Sequence, residues 1–327
     1  MADVAEIEVP IPWIGSVNLW LLRGDPLTLV DTGPANEQAF ATLEEQLAEH
    51  RLSVRDIELV LITHHHLDHS GLAARIKELS GAEVAAHRGT ARWGLEYHQR
   101  TAEERRFTLE LMATHGVPGE LIAATEPFYE YITREGTEFE TDRVLLDGET
   151  IEAGDRTLRV VFRPGHSTTD TLFVDDLAQE AFVGDHLLAN ISTGAELGPT
   201  ELPGDERRRA LIEYLSNVRA TAAMDLRRCY TGHGPTIDDH RALIEERIAF
   251  HNDRLDRIAE IVRDGSTTAF EIAQRLWSEE VARTQTVLAI WEVVGHLDIL
   301  VNRGTVLEHV DDNGCHRFRA RVVTATR

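Results

Sequence analysis

Residues 63–69 read THHHLDH, a stretch that places four histidines and one aspartate in seven positions. It follows the apolar run IELVLI, which is typical of a buried β-strand, and it precedes a Ser-Gly pair. Because alternate side chains of an extended backbone point to the same side, His64 and His66 are predicted to face one cation together. Asp68 and His69 follow at the predicted start of a helix, where they can face a second cation.

Other apolar runs of the chain also end in polar clusters that contain glycine. LTLV precedes DTG, LRVVF precedes RPGHS, EAFV precedes GDH, and RCYT precedes GHG. Amphipathic helical stretches are predicted between or after these strands, over residues 37–50, 71–80, 206–222 and 238–264. The pattern indicates sheets covered by helices, and loops at one edge of a sheet can converge on a shared site.

Three further metal-competent residues lie in these clusters, where neighbouring glycines permit the tight turns that aim them inward. They are His166, Asp185 and His233. Imidazole nitrogen and carboxylate oxygen suit Zn, and also Fe or Mn. A solvated loop explains one isolated histidine cluster equally well, but it does not explain several clusters in order at strand ends. We leave His65 out of the ligand set, because alternation turns it away from its neighbours.

Together these residues resemble the metallo-β-lactamase superfamily of hydrolases over about residues 15–240. The resemblance rests on His64-x-His66-x-Asp68-His69, Asp31 in LVDTGP, His166 in PGHS, Asp185 in GDH and His233 in GHGP. It implies an α+β fold, a four-layer αββα sandwich with a two-metal site at one edge. The implied ligands are His64, His66 and His166 for the first metal, Asp68, His69 and His233 for the second, and Asp185 as the bridge.

Asp31 has two interpretations at this stage. It resembles the family's aspartate at the end of the first strand, which supports the ligand loop without binding metal. An ordinary aspartate in a D-T-G turn explains it equally well from sequence alone.

The chain is predicted to contain a catalytic domain over residues 1–247 and a winged-helix-like domain over residues 248–327. The second domain resembles an appendage found near glyoxalase-II-like hydrolases, and Thr268 with Glu271 fits a helix capping box. A DNG turn between short alternating runs predicts a hairpin. A mostly helical insertion at about residues 89–143 is rich in aromatic residues, so it forms either a lid over an apolar acyl group or a helical pair with its own core.

The site predicts hydrolysis of a small molecule through a hydroxide that bridges two divalent ions. Two adjacent cations lower the pKa of a shared water toward about 7. One metal would stabilise the developing oxyanion, and Asp68 would orient the nucleophile or move its proton. The chain has no G-x-S-x-G motif, and Cys229 lies inside a predicted strand, where a buried apolar role is expected.

A small thioester, ester or lactone is the expected substrate, and the glyoxalase-II resemblance favours the thioester. The alternative is a metal-dependent endoribonuclease or phosphodiesterase of the same fold, which a basic groove at the site would favour. A regulatory protein with a vestigial metal site is disfavoured because all seven ligands are present. A mono-iron oxygenase variant is disfavoured because His233 and Asp68 together indicate two metals.

Composition limits the partners of this 327-residue chain. The 33 Lys and Arg against 56 Asp and Glu give a formal net charge of -23, which repels phosphate backbones and anionic lipid. The best basic patch, Arg207–Arg209, is expected on a solvated helix face. With two cysteines, no signal-like start and no apolar stretch of about 18 residues, we predict a cytoplasmic protein that binds neither membrane nor nucleic acid. The C-terminal domain is expected to pack on the catalytic domain or on a second subunit of a homo-oligomer.

Overall fold

The computed structural model describes residues 4–11, 15–199 and 207–321. Its strands are β1 Val4–Ile11, β2 Gly15–Leu22, β3 Thr28–Val30, β4 Leu59–Ile62, β5 Glu83–His87, β6 Arg143–Leu145, β7 Thr150–Ala153, β8 Arg156–Phe162, β9 Thr171–Asp175, β10 Glu180–Gly184, β11 Arg228–Thr231, β12 Val306–Val310 and β13 His316–Ala320. Its helices are α1 Glu37–Glu49, α2 Leu67–Ser70, α3 Ala73–Ser80, α4 Arg88–Leu95, α5 Tyr97–Thr114, α6 Gly119–Ala123, α7 Glu126–Glu135, α8 Ala210–Ala222, α9 His240–Arg263, α10 Ala269–Leu276, α11 Glu279–Thr284 and α12 Thr286–Asn302.

The first sheet has the strand order β1-β2-β3-β4-β5-β6. β3, β4, β5 and β6 run parallel, so the polar clusters after β3 and β4 lie at the same edge. One face of this sheet is covered by α1 and α3, whose Leu43, Leu47 and Ile76 are buried in the same core as Val60 and Ile62. α1 begins at the N-cap Asn36, whose side chain accepts a hydrogen bond from the Ala39 amide.

The second sheet has the order β11-β10-β9-β8-β7 and packs against the free face of the first. Their common core joins Val30 and Leu61 of the first sheet to Val160, Phe173 and Phe182 of the second. β10 and β11 are parallel, so the GDH and GHG clusters also share one edge. Residues of α8 contact the loops that follow β8 and β10: Asn217 Nδ2 donates to the Pro164 carbonyl, and His186 Nε2 lies 2.9 Å from the Thr221 hydroxyl.

The α+β class and the sandwich predicted from the sequence are therefore confirmed. The five apolar runs named above form β3, β4, β8, β10 and β11, and the predicted helices at residues 37–50 and 238–264 correspond to α1 and α9. The stretch at 71–80 begins two residues late because the short α2 precedes α3. In the stretch at 206–222, residue 206 lies outside the described residues, and residues 207–209 are not helical, so α8 begins at Ala210. The predicted helical insertion contains α4 to α7.

The C-terminal segment consists of three helices followed by a hairpin, which is the order that the sequence predicts. α10 opens with the capping box in which Thr268 and Glu271 bond each other's backbone amides. β12 and β13 pair antiparallel around the DNG turn, with Val310 opposite His316. The winged-helix assignment of this segment stays a prediction.

The described chain divides into two compact units. The first comprises Met1–Thr101, Glu130–Thr193 and Asn217–Ile244, and the second comprises Ala102–Tyr129, Gly194–Ser216 and Glu245–Arg327. The predicted domain boundary at residue 247 lies within α9 and stays a prediction. Within the described residues, no helix has both the length and the apolarity to cross a bilayer.

Candidate metal centre

The loop after β4 carries the first ligands. His64 and His66 lie two positions apart, and His64 Nε2 is 3.0 Å from His66 Nδ1. His66 is the N-cap residue of α2, so the chain turns there from extended to helical backbone and places Asp68 and His69 in the first turn. The local order of strand, turn and helix is the one predicted from THHHLDH.

The first group of donor atoms is completed from the second sheet. His166 follows β8, and its Nε2 lies 3.1 Å from His66 Nδ1. One donor atom from each of His64, His66 and His166 lies within 4.8 Å of the others, which is close enough to share one ion. His166 lies 100 positions after His66 in the sequence.

The second group brings together Asp68, His69 and His233. His233 follows β11, and its Nε2 is 3.3 Å from Asp68 Oδ2. His69 Nε2 is 3.7 Å from the same carboxylate oxygen. Donor atoms of these three residues also lie within 4.8 Å of one another.

Asp185 follows β10 and lies between the two groups. Its Oδ2 is 3.7 Å from His166 Nε2 in the first group and 3.3 Å from His233 Nε2 in the second. Its Oδ1 is 3.5 Å from His69 Nε2. The structure thus brings all seven predicted ligands together and puts the predicted bridge in the middle; their roles as ligands stay a prediction.

Asp31 is bonded into the loop that carries the ligands. Its Oδ2 accepts from His69 Nδ1 at 2.8 Å, and its two oxygens accept from the Thr63 amide and hydroxyl, both at 2.8 Å. Its backbone φ is +62°, in the left-handed region that residues other than glycine seldom adopt. These bonds are the ones expected of a residue that supports the ligand loop, and the role of Asp31 beside a metal stays a prediction.

The outer nitrogens of the histidines are held by groups that sequence reasoning did not identify. His64 Nδ1 is 3.1 Å from the Thr63 hydroxyl, which donates in turn to Asp31. His233 Nδ1 donates to the Ser16 carbonyl at 2.6 Å. In each case Nδ1 faces a protein acceptor, so Nε2 is the nitrogen that is directed toward a metal. The sequence has no signal for Ser16, which lies 217 positions from His233.

His65, which the sequence analysis leaves out of the ligand set, is buried and anchors the loop. Its ring stacks on Trp93 of α4 with a centroid distance of 3.8 Å and an interplanar angle of 18°. Its Nδ1 is 2.9 Å from the hydroxyl of Thr169, which also accepts from the His65 amide at 3.1 Å. Trp93 therefore couples the insertion to the ligand loop, a contact that only the folded chain reveals.

The carboxylates dominate the electrostatics of the centre. Burial disfavours the charged form of His69, but Asp68, Asp185 and Asp31 outweigh burial and raise its pKa to about 10. Burial acts the same way on His233, where Asp185 and Asp68 raise the pKa to about 12. The field is that of a strongly anionic pocket, which favours cations of any kind.

The pKa values of Asp185, Asp68 and His64 are lowered instead of raised. Burial alone would raise the pKa of Asp185, but His233 and His69 hold it well below its usual value. The pKa of Asp68 is likewise lowered, with burial opposed by His69 and His233. Burial, with His69 and His66 nearby, holds the pKa of His64 well below its usual value, so this imidazole is neutral and its lone pair is available.

The residues fit a metal pair by a test that does not depend on family. His69 Nε2 and Asp185 Oδ1 are buried and lie 3.5 Å from each other, which is too long for a normal hydrogen bond, and within the described part of the chain neither has another hydrogen-bond partner. Buried polar atoms without partners are costly, so a ligand is expected there. Gly232 keeps the space open, because a Cβ there would lie 2.2 Å from Asp185 Oδ1 and 2.6 Å from His69 Cε1.

Comparison with known proteins places this fold and site in a family. The family model described as metallo-beta-lactamase superfamily matches residues 12–233, and the model described as metallo-beta-lactamase-like, C-terminal domain, matches residues 255–321. Probable metallo-hydrolase YqjP of Bacillus subtilis is 30% identical over 316 residues, 95% of this chain and 96% of that protein. The chain belongs to the metallo-β-lactamase superfamily and is a metallo-hydrolase of that class.

A solved structure and two thioesterases are also similar. The crystal structure of metallo-beta-lactamase family protein TTHA1429 from Thermus thermophilus has a TM-score of 0.81 and 29% identity, covering 97% of this chain and 98% of that one. Atrochrysone carboxyl ACP thioesterase of Aspergillus fumigatus is 24% identical over 71% of this chain and 55% of its own length. Acyl-coenzyme A thioesterase MBLAC2 of Bos taurus is 29% identical over 51% of this chain and 57% of its own length.

Proposed function

We propose that this chain is a two-metal hydrolase of small-molecule thioesters. The observation that carries the proposal is the convergence of the seven predicted ligands around buried atoms of His69 and Asp185 that have no hydrogen-bond partner. Nitrogen and oxygen donors suit Zn²⁺, with Fe or Mn as alternatives that depend on availability. The two thioesterases among the relatives support the thioester over an oxygen ester or a lactone.

In this proposal His64, His66 and His166 would hold one divalent ion, Asp68, His69 and His233 would hold the other, and Asp185 would be shared by both sites. Bound divalent ions supply an activated water at neutral pH and polarise the carbonyl of the substrate. A thioester suits such a site because its carbonyl is activated and its thiolate leaves without a strong acid. Cys229 is not needed as a nucleophile: it is fully buried, and burial raises its pKa to about 12.

The chain's own residues orient the donors and accept a proton. Asp31 keeps His69 in the tautomer with the proton on Nδ1, and the Ser16 carbonyl does the same for His233. Asp68 reaches both histidines of its group at 3.3 and 3.7 Å, so its carboxylate lies where it can orient the nucleophile or take its proton.

The experiment is a substrate panel on purified protein loaded with Zn²⁺. The panel contains acyl-coenzyme A and acyl-pantetheine thioesters, oxygen esters of the same acyl groups, lactones and single-stranded RNA. We expect kcat/KM for a thioester to exceed that for its matched oxygen ester by about tenfold or more, the effect of ~1.4 kcal/mol in the transition state. The Asp185→Asn variant is the inactive control, and Asp176→Asn, at an exposed aspartate bonded to Arg159, is the matched active one.

Three results would contradict the proposal in different ways. Preference for a lactone or an oxygen ester would keep the hydrolase and replace its substrate. Cleavage of RNA would favour the endoribonuclease of the same fold. Equal turnover by wild type and Asp185→Asn would show that the centre is not the active site.

A further inference from the structure

A second group of metal-competent side chains lies in the second compact unit. It consists of His115 directly after α5, Glu308 on β12 and His316 on β13. One donor atom from each residue lies within 4.8 Å of the others. We call this group the His115 cluster, and the hydrolytic centre in the first unit makes no use of it.

Backbone hydrogen bonds fix the segments that carry the cluster. The carbonyl of His115 accepts from the Phe270 amide of α10 at 3.2 Å. Thr267, just before α10, exchanges two bonds with Phe318 of β13, at 3.0 and 2.8 Å. The end of α5, the start of α10 and β13 are thus tied together, and the His115 ring has a defined position against the hairpin.

His115 has the tautomer of a metal ligand. Its side chain is buried, and its Nδ1 lies 2.8 Å from the Leu111 carbonyl. A carbonyl oxygen can only accept, so Nδ1 carries the proton and Nε2 carries the lone pair. Metal-binding histidines commonly fix their second nitrogen on a backbone carbonyl or a carboxylate in this way.

His316 shows the same pattern with a carboxylate. Its Nδ1 is 2.6 Å from Glu308 Oε1. The two residues lie on one face of the hairpin, because His316 pairs with Val310 and Glu308 is two positions away on the same strand. The rings of His316 and His115 are stacked, with centroids 4.7 Å apart and planes within 3°.

The charges around the cluster suit a cation. Burial, with His316 nearby, lowers the pKa of His115 to about 4, so this imidazole is a neutral donor at physiological pH. Arg207 is a positive neighbour, but the Asp298 carboxylate binds it at 2.7 Å and offsets its charge. Glu308 and His316 are both about one-third exposed in their side chains, at 32% each, which leaves a path for an ion from solvent.

We propose that the His115 cluster binds one divalent transition-metal ion, such as Zn²⁺, Ni²⁺ or Cu²⁺. Two imidazole nitrogens with one carboxylate oxygen form a donor set that these ions accept. Glu308 supplies the third donor atom of this set. Because His115 and His316 are far apart in sequence, the ion would link the end of α5 to the C-terminal hairpin and stabilise this unit.

The test is a metal count on full-length protein without a histidine tag, dialysed against Zn²⁺ and measured by mass spectrometry. The compared variants are His316→Gln and His309→Gln; His309 is an exposed histidine of β12 on the opposite face of the hairpin from His316. Wild type and His309→Gln should bind one more equivalent of Zn²⁺ than His316→Gln does. The result is a difference between variants, so it does not depend on how many ions the hydrolytic centre holds.

A second measurement separates the loss of the metal site from a folding defect of the variant. The melting temperatures of the three proteins should agree in EDTA, and Zn²⁺ should raise that of His316→Gln less than those of the other two. Thioester hydrolysis should be equal in all three. Equal zinc counts for wild type and His316→Gln, with equal melting temperatures in EDTA, would overturn the proposal. If His316→Gln melts lower in EDTA, the same comparison is made with Glu308→Gln, and an unchanged count there would overturn it as well.

Discussion

Asp185 brings its two carboxylate oxygens into the space between the histidines, 3.5 Å from His69 Nε2 and 3.3 Å from His233 Nε2. A buried carboxylate is stable only where opposite charge or hydrogen bonds compensate for its lost hydration. Its Oδ1 has no hydrogen-bond partner among the residues that the structure describes. At the scale of single residues, the charges of His69 and His233 compensate this carboxylate in the metal-free protein, and a bound cation would take over that role.

Replacing Asp185 by Asn should remove bound metal and hydrolysis together. The amide keeps the shape of the side chain but loses the negative charge that attracts both ions. Metal content by mass spectrometry and thioester turnover should fall in parallel, while Asp176→Asn should keep both. Full activity in the Asp185→Asn variant would rule out the bridging role.

Replacing Asp31 by Asn should weaken metal binding without removing it. Asparagine tolerates the φ of +62° at this position, so the change tests the bond to His69 and not the backbone. We expect a loss of about 10- to 100-fold in affinity, the usual effect of removing such an outer partner. Competition with a chromogenic chelator measures the change. Asp155→Asn is the matched control, since Asp155 also has a positive φ, of 57°, and contacts no predicted ligand; equal affinities for both variants would contradict the role of Asp31.

The residues that could be predicted from sequence are those whose type is chemically restricted. His64, His66 and Asp68 stand out because few structural roles need so many imidazoles and carboxylates in one turn. The groups that orient them could not be predicted, because a Ser16 carbonyl or a Thr63 hydroxyl carries no distinctive signal. Their contacts depend on how β2, β4 and β11 pack together, and this packing is not visible in any local sequence pattern.

At the scale of elements, α4 is the part of the insertion that supports the ligand loop. Trp93 is buried and stacks on His65 between two predicted ligands, and the Arg100 guanidinium lies 5.4 Å from its ring centroid. Phe139, at the far end of the insertion, belongs to the core of the first sheet. Deleting the whole insertion would therefore remove core packing as well as any lid, and the lid stays a prediction.

Replacing Trp93 by Ala should lower both stability and metal affinity. Truncating a buried Trp costs roughly 3–5 kcal/mol in the free energy of unfolding. The loss of the stack should also free the His65 ring and loosen the loop that holds His64 and His66. Urea unfolding and chelator competition measure the two effects. Trp93→Phe keeps an aromatic surface and should lose less of each, and unchanged metal affinity in Trp93→Ala would separate α4 from the centre.

The strands that consist of buried apolar runs could be predicted, because a strand buried on both faces needs an unbroken run of apolar residues. β4 reads LVLI with every residue buried. β1, where exposed and half-buried residues alternate with buried ones, and β6, with only one buried residue of three, were not predicted because their exposed positions interrupt that signal.

The run Arg207–Arg209 differs from its prediction as a solvated helix face. It precedes α8, Arg207 and Arg209 bind Asp298, and Arg208 binds Glu213.

The pair α9 and α12 contains a buried histidine that should make stability fall in acid. His296 Nε2 is 3.1 Å from His251 Nδ1, and His296 Nδ1 donates to the Glu292 carbonyl. Burial lowers the pKa of His296 to about 3, although that hydrogen bond opposes it; His251 and Arg254 lower it further. Since the folded pKa lies below the unfolded value of 6.5, this contribution is complete above pH 6.5 and is lost as the pH falls toward 3.

Wild type should therefore lose about 2 kcal/mol of unfolding free energy to His296 alone between pH 7 and pH 5. Urea midpoints at both pH values measure it, for wild type and for His296→Gln. The variant should lose less stability over this interval than wild type does, by about that amount, while His309→Gln should behave as wild type. Parallel pH dependence of wild type and His296→Gln would show that this histidine is not the cause.

At the scale of the whole molecule, net charge separates the two proposed classes of substrate. The formal charge of -23 opposes binding of a polyanion, whereas a single small thioester meets mainly the field of the metal centre. The basic run that was the best candidate for phosphate contacts is neutralised by Asp298 and Glu213. Both observations favour the small molecule.

We therefore expect no binding of single-stranded RNA at physiological salt, even at the roughly 10⁻⁴ M that is typical of weak non-specific complexes. Fluorescence anisotropy of a labelled oligonucleotide measures it with Zn²⁺-loaded protein, and the Asp185→Asn variant shows whether any signal depends on the centre. Affinity that rises as salt is lowered, and disappears in that variant, would mean that metals overcome the repulsion of the surface. That result would favour the endoribonuclease over the thioesterase, because an affinity that falls as salt rises is typical of binding through phosphate contacts.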